Sequence, residues 1–344
     1  MNHKKVTKKQ EDELYYIFKL HKINTNFFNS DEINKLFINA IKNEKLLDIL
    51  IHKLYKDEIV FTDDKKWFLF NVKINDSSSD HKYWCHYKNL DIFIFFKPFK
   101  NLTEKYKILS KIAPQKYLKD IDTLCHLLSS WDYWKIFRER NEINFNIPNN
   151  IFFNKLDQNI YLIGFNNGVY DLINNNFRTG KPSDLISMTT GYNYDPNPSQ
   201  VDFVMEIITQ IIPDNNERHY LLKLFACCLS GEESKTLFCF VTDHPNAANS
   251  QGNGKTTLMY MLMAVLGDYA LLSNQLHNAA NMLIKPNRKK EWVKHFAKLA
   301  NKKRCIFFGD MCNYSEQYKY DEKIINELTD EKNLIGPCTF KMFT

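Results

Sequence analysis

Between residues 11 and 56, apolar side chains recur three and four positions apart among charged ones. Leu14, Ile17 and Phe18 form one set, and Ile33, Leu36, Phe37 and Ile41 the next. This spacing lines one face of a 3.6-residue turn and predicts short amphipathic helices. At Glu58 the pattern changes to strands: EIVF, a turn at Asp63 and Asp64, WFLFNVKI, a polar NDSSSD loop and KYWCHY. A helical stretch is expected over about 102–140, with Trp131 and Trp134 three positions apart and read as core. Residues 159–195 then read as β-rich. NIYLIGF, a turn at Asn167 and Gly168, VYDLI, a second turn over 174–176 and FRTG predict hairpins, because Asn and Gly tolerate the positive φ of tight turns. Pro196 and Pro198 lie in a polar segment ahead of the helical run VDFVMEIITQII, which predicts a boundary near residue 200.

The chain has 344 residues, 44% apolar, 25% charged and 14% aromatic, the profile of a folded protein of two or three domains. Ten glycines and ten prolines exclude collagen-like or linker-dominated architecture. The first residues are charged, and the apolar run over 92–96 is far too short for a bilayer span or signal-peptide core. An intracellular protein is therefore expected, neither secreted nor membrane-embedded. The eight cysteines lack zinc-ligand spacing and are read as reduced thiols. Cys85-His86 and Cys125-His126 read as structural neighbours, and Asp63-Asp64 as a solvated turn instead of a metal site.

The sharpest chemical signal is TLFCFVTDH followed by PNAANSQGNGKTTLMYMLMAVLGDYA, an apolar strand, a Gly/Asn loop and an apolar helix ending at Gly267. That order is the P-loop unit. Gly252, Asn253 and Gly254 would let backbone N–H groups approach phosphate oxygens, while the helix N-terminus supplies partial positive charge. Lys255 would reach the β- and γ-phosphates, Thr256 would place its hydroxyl on Mg²⁺, and Thr257 adds a hydroxyl in the first helical turn. The full GxxxxGK[ST] pattern wants Gly at 249, where this chain has Asn249, the best non-Gly substitute at positive φ. A metal-holding acid is expected at the end of a neighbouring strand, and CIFFGDM supplies Asp310; Gly309 precedes it, and Glu316 is a poor second acid. Net charge is +6, unevenly spread. Residues 285–304 carry nine basic side chains against Glu291, so +8 locally and −2 elsewhere. Trp292, Phe296, Leu299 and Ala300 share a helical face there, which predicts a basic amphipathic helix, either solvated or contacting phosphates.

Two blocks resemble the superfamily 3 helicases of the poxvirus-type and phage/plasmid primase-helicase group. FNKLDQNIYLIGFNNGVYDLINNNFRTGKPSDLISMTTGYNYDPN is similar to the domain preceding the helicase, with its NG-(V/I)-x-DL hairpin over 167–172 and closing YDP over 194–196. GNGKTT over 252–257, LGDYA over 266–270, KKRCIFFGDM and KIINELT over 323–329 resemble the helicase blocks in order and spacing. Asp310 stands where the family usually has Glu, Asn326 where it has Lys, and Asp330-Glu331 where it has a Gly pair. The resemblance covers about residue 100 onward. It implies an AAA+-type ATPase of a virus or mobile element that uses ATP and Mg²⁺, assembles as a homo-hexamer when complete, binds single-stranded or forked DNA and unwinds duplex DNA at a replication fork. Catalytic roles fall to Lys255 and Asp310, metal binding to Thr256 and Asp310. The fold class expected is α/β, a P-loop NTPase (AAA+-like) module over 201–344 preceded by mixed α+β N-terminal domains over 1–100 and 101–200. The chain ends at Thr344, before the family's sensor asparagine and arginine finger, so little ATP turnover is expected of it alone. The alternatives are a non-enzymatic DNA-binding or ring-scaffolding fragment with an idle nucleotide site, and a small P-loop kinase, against which the 159–195 block argues.

Overall fold

The computed structural model describes residues 28–70, 83–86, 95–231, 237–240, 252–272, 302–308 and 340–343. Mixed α/β in content, it divides into two compact units, the first from 1–71 and 84–154, the second from 72–83 and 155–344. The divisions expected at 100 and 200 therefore fall inside units. The reason is packing: residues 101–154 share the core of the first unit, whereas the hairpins of 159–195 share a core with the strands and helix that follow residue 236.

In the first unit, α1 (Asp31–Asn39) and α2 (Glu44–Tyr55) precede an antiparallel meander of β1 (Ile59–Phe61), β2 (Trp67–Phe70) and β3 (Trp84–Cys85). Every residue of these strands is buried instead of every second one, so the sheet is covered on both faces. Asp63 and Asp64 form the β1–β2 turn as expected. Thr62 exchanges backbone contacts with Lys65 and Lys66, and Lys65 takes φ 60. The helical region expected over about 102–140 is three helices: α3 (Phe96–Ser110), α4 (Gln115–Leu128) and α5 (Trp131–Asn141). It starts six residues earlier than expected and breaks before Gln115, where Pro114 cannot continue a hydrogen-bonded turn. Trp131 is 49% exposed, which corrects its reading as core, and Trp134 is half-buried.

The core of this unit is aromatic. Phe95 and Phe99 meet Phe137 edge-on at 4.9 and 5.0 Å, and Phe37 stacks on Tyr106 at 4.1 Å with 11° between planes. Tyr106, fully buried, donates its hydroxyl to the Phe37 carbonyl at 2.9 Å and so joins α3 to α1. Arg140 ties α5 to α2 by bonds to Glu44 at 2.9 Å and to the nearly buried Asp48 at 2.7 Å. Burial raises the Asp48 pKa, and Arg140 works against that rise.

Among the described residues the second unit contains two sheets. β4 (Leu162–Phe165), β5 (Gly168–Asp171) and β6 (Asn176–Arg178) form an antiparallel meander. Phe165 pairs with Gly168, so the first turn is Asn166-Asn167, one residue earlier than expected; Gly168 and Asn176 each open a strand. Helices α6 (Val201–Ile211) and α7 (Asn215–Ser230) follow, the latter capped by Asp214, whose side chain accepts from Asn216 and Glu217 at 2.8 and 2.9 Å. The second sheet is wholly parallel, in the order β7 (Leu237–Phe240), β10 (Phe340–Phe343), β9 (Cys305–Phe308), β8 (Ala270–Leu272). Helix α8 (Lys255–Leu266) lies between β7 and β8 in sequence, as a crossover between parallel strands must.

No helix among the described residues is long and apolar enough to cross a membrane. Cys85, Cys125, Cys227, Cys228 and Cys305 are free thiols. His86 donates through Nδ1–H to the Trp67 carbonyl, 3.0 Å away, which makes Cys85-His86 part of the β2–β3 packing.

The aromatic core gives a stability prediction. Phe37→Ala is expected to destabilise the first unit by about 3–5 kcal/mol through cavity formation. Tyr106→Phe, which leaves the buried Phe37 carbonyl without its donor, should cost about 1–2 kcal/mol. Urea unfolding followed by aromatic circular dichroism measures both.

Candidate nucleotide-binding site

Local sequence dictates how α8 begins. Gly252 and Gly254 both take positive φ, 86 and 81, a conformation that L side chains rarely adopt. Gly254 is the residue before the helix, and the Leu258 amide bonds its carbonyl at 3.0 Å. A Cβ at Gly254 would lie 2.6–2.9 Å from side-chain carbons of Ile211, so α6 closes against the turn and glycine is required twice over. No side chain caps this helix, and its first turn holds no acid. Lys255 is the only charged residue of α8 and is half-buried; Thr256 and Thr257 are exposed beside it. The first-turn amides and the positive end of the helix dipole are thus combined with a lysine and two hydroxyls, a combination suited to an anion.

Because all four strands of the second sheet are parallel, their carboxyl ends share one edge. In open sheets of this kind, ligands bind beyond that edge. In sequence β7 precedes the glycine turn, and β9 ends at Phe308, two residues before Asp310. Of the residues expected to form the site, Gly252, Asn253, Gly254, Lys255, Thr256 and Thr257 occur together at the start of α8. Asp310, Gly309, Glu316, Asn249 and residues 285–301 of the basic run lie outside the described residues.

The end of that run is described. Lys302, Lys303 and Arg304 lead directly into β9, in keeping with their place before CIFFGDM, and Lys302 takes φ 68. Arg304 is only 5% exposed. It donates to the Leu162 carbonyl of β4 at 2.6 Å and to the Leu229 carbonyl of α7, and its guanidinium lies 4.5 Å from the Tyr269 ring centre. Burial lowers its pKa, opposed by Tyr269 and Asp157. Tyr269, also buried, accepts from the Gly164 amide at 2.8 Å and donates to the Met188 carbonyl at 2.9 Å. Burial pushes its phenol pKa well up, so it stays a donor. Asp268 and Thr189 exchange backbone and side-chain bonds at 2.8 and 3.0 Å. Gly267, at φ 52, passes so close to Thr190 that a Cβ would lie 2.3–2.6 Å from its backbone.

These contacts fasten the β4–β6 meander to the far end of α8 and the start of β9. Leu258, Met259, Leu262 and Leu266 of α8 are buried, three of them in one cluster with Ile163, Phe165, Cys305 and Phe307. Sequence reading gave LGDYA and KKR no physical role of this kind. Their signal was a basic residue directly before an apolar strand, and burial is needed to interpret it.

Residues 49–214 match the family described as D5 N terminal like. The match ends at the cap of α7, ahead of the glycine turn. "Putative helicase L207/L206" of Acanthamoeba polyphaga mimivirus is 41% identical over 120 residues, 34% of this chain and 12% of that protein. "Putative helicase 121R" of Invertebrate iridescent virus 3 is 28% identical over 258 residues, 63% of this chain and 26% of that protein. The chain therefore spans about an eighth and a quarter of the lengths of these relatives. Together the matches liken residues 49–214 to the D5 N terminal like family, and parts of the chain to two viral proteins named as putative helicases.

The Arg304–Tyr269 contacts are expected to hold the second unit together. Arg304→Met strands two carbonyls and should cost about 2–3 kcal/mol, and Tyr269→Phe about 1–2 kcal/mol. Since the side chains touch, the double variant should lose less than the sum of the two. Denaturant unfolding of the three variants checks this; strict additivity would mean that the two act separately.

Proposed function

We propose that the second unit binds ATP with Mg²⁺ and serves as the nucleotide module of a viral or mobile-element DNA helicase of the primase-helicase type. The observation that carries this reading is the left-handed glycine turn at 252–254 delivering a half-buried lysine and two hydroxyls into the uncapped start of α8, after a strand of a parallel sheet. The strand order adds support, since β10 lies between β7 and β9, and both run toward one carboxyl edge. On this reading, the module is a P-loop NTPase of the AAA+ type. Backbone amides of 252–256 and Lys255 bind the β- and γ-phosphates, and Thr256 and Asp310 hold the metal; bound Mg²⁺ would neutralise charge on the phosphates. DNA is the proposed polymer substrate, and a homo-hexamer the proposed assembly. The names of the viral relatives favour the same reading.

Lys255→Ala is expected to abolish ATP binding measured by titration calorimetry, because the phosphates lose their point cation. Unchanged affinity would reject the nucleotide site. Independently, the basic run should act on phosphates by counterion release. Lys289→Glu with Lys290→Glu should flatten the dependence of log DNA affinity on log salt, and an unaltered slope would leave that run as plain solvated surface.

A further inference from the structure

A second feature, confined to the first unit, has no part in the nucleotide site. Residues 96–111, α3 and the residue after it, contain five lysines and one glutamate. Lys97 stands 3.9 Å from Glu58, and Lys105 lies over the Phe28 ring at 4.9 Å. Lys100, Lys107 and Lys111 are exposed. At about 100° per residue these three fall within about 60° of Phe96 around the helix and form one stripe, with Glu104 at its margin. The stripe begins at an aromatic cluster. Phe96, 46% exposed, meets Trp134 edge-on at 5.6 Å, and Trp134 lies 6.0 Å from Trp131, 49% exposed. The Trp134 indole N–H is satisfied by the Leu128 carbonyl at 2.7 Å, so this ring is held in place by α4. Exposed Lys135 adjoins it on α5, with Asp132 the acid nearest in sequence.

Exposed aromatic rings alone would suit any apolar partner, and a lysine stripe alone is ordinary solvated surface. Joined end to end, they match a polymer that offers both anionic charges and flat apolar faces. A duplex hides its base faces in the stack, whereas a single strand presents them. We propose that Phe96 and Trp131 with Lys100, Lys107 and Lys111 form a binding path for single-stranded nucleic acid, in which the rings stack bases and the ammonium groups contact phosphates. Nothing here reads a base edge, so binding is sequence-tolerant. The path lies on α3 and α5 and operates without ATP, which sets it apart from the nucleotide site.

The test uses the full chain without nucleotide, a fluorescent thymidine single strand of about 20 nucleotides, and a duplex of equal length. Anisotropy should show the single strand bound more tightly. Trp131→Ala should weaken it roughly five-fold or more at constant salt slope, and Trp131→Phe should restore most of the affinity. Lys100→Glu with Lys107→Glu should lower the salt slope by about 0.7 for each lysine. Lys255→Ala should bind the oligonucleotide as the wild type does, so failure of the ATP site and failure of this path are distinguishable. The proposal is overturned if the single strand does not bind, if Trp131→Ala and the lysine pair leave its affinity unchanged, or if duplex binds equally well and Trp131→Ala has no effect. It is also overturned if Trp131→Ala changes the mass seen by light scattering but not the affinity, which would mark the face as a protein interface.

Discussion

The guanidinium of Arg304 is the interaction on which the second unit depends. A charge 5% exposed is costly to bury unless it is fully bonded, and here two backbone carbonyls and the face of Tyr269 take it up. Those partners come from β4, α7 and the residue before β8, and lie up to 142 positions from Arg304 in the chain. The start of β9 is therefore set by contacts with the meander as well as by pairing within its own sheet. Tyr269 extends the arrangement by bonding Gly164 and Met188 through one hydroxyl.

A consequence is that the β4–β6 meander is a wall of the same unit as the glycine turn, although its composition reads as a separate module. α8 is gripped at both ends: Ile211 closes on Gly254 at its start, and Thr189 and Thr190 close on Asp268 and Gly267 at its finish. Contacts at both ends, with Leu258, Met259, Leu262 and Leu266 buried between them, fix the helix in place. The first unit is built on a different principle, a packed group of rings with Arg140 bridging two helices at its margin.

By itself, the sequence determined whatever depends on near neighbours. The glycine turn before Lys255, the apolar helix ended by Gly267, the strands at 237–240 and 305–308, and the Asp63-Asp64 turn were legible because backbone conformation there follows from the residues in place: glycine permits positive φ, and apolar periodicity selects helix or strand. Turn register was less legible. Asn166-Asn167 and Asn167-Gly168 are equally good turn pairs locally, and only pairing of Phe165 with Gly168 chooses between them. Tertiary structure alone decided which segments share a core, and so moved the boundary between units to 154–155. It also decided which charged and aromatic residues are buried. Arg304 reads as the last member of a basic run yet lies inside, and Trp131 reads as core yet lies outside. Burial is a property of what packs against a side chain from distant parts of the chain, and residue type supplies only a preference that a bonded guanidinium or an exposed ring can override.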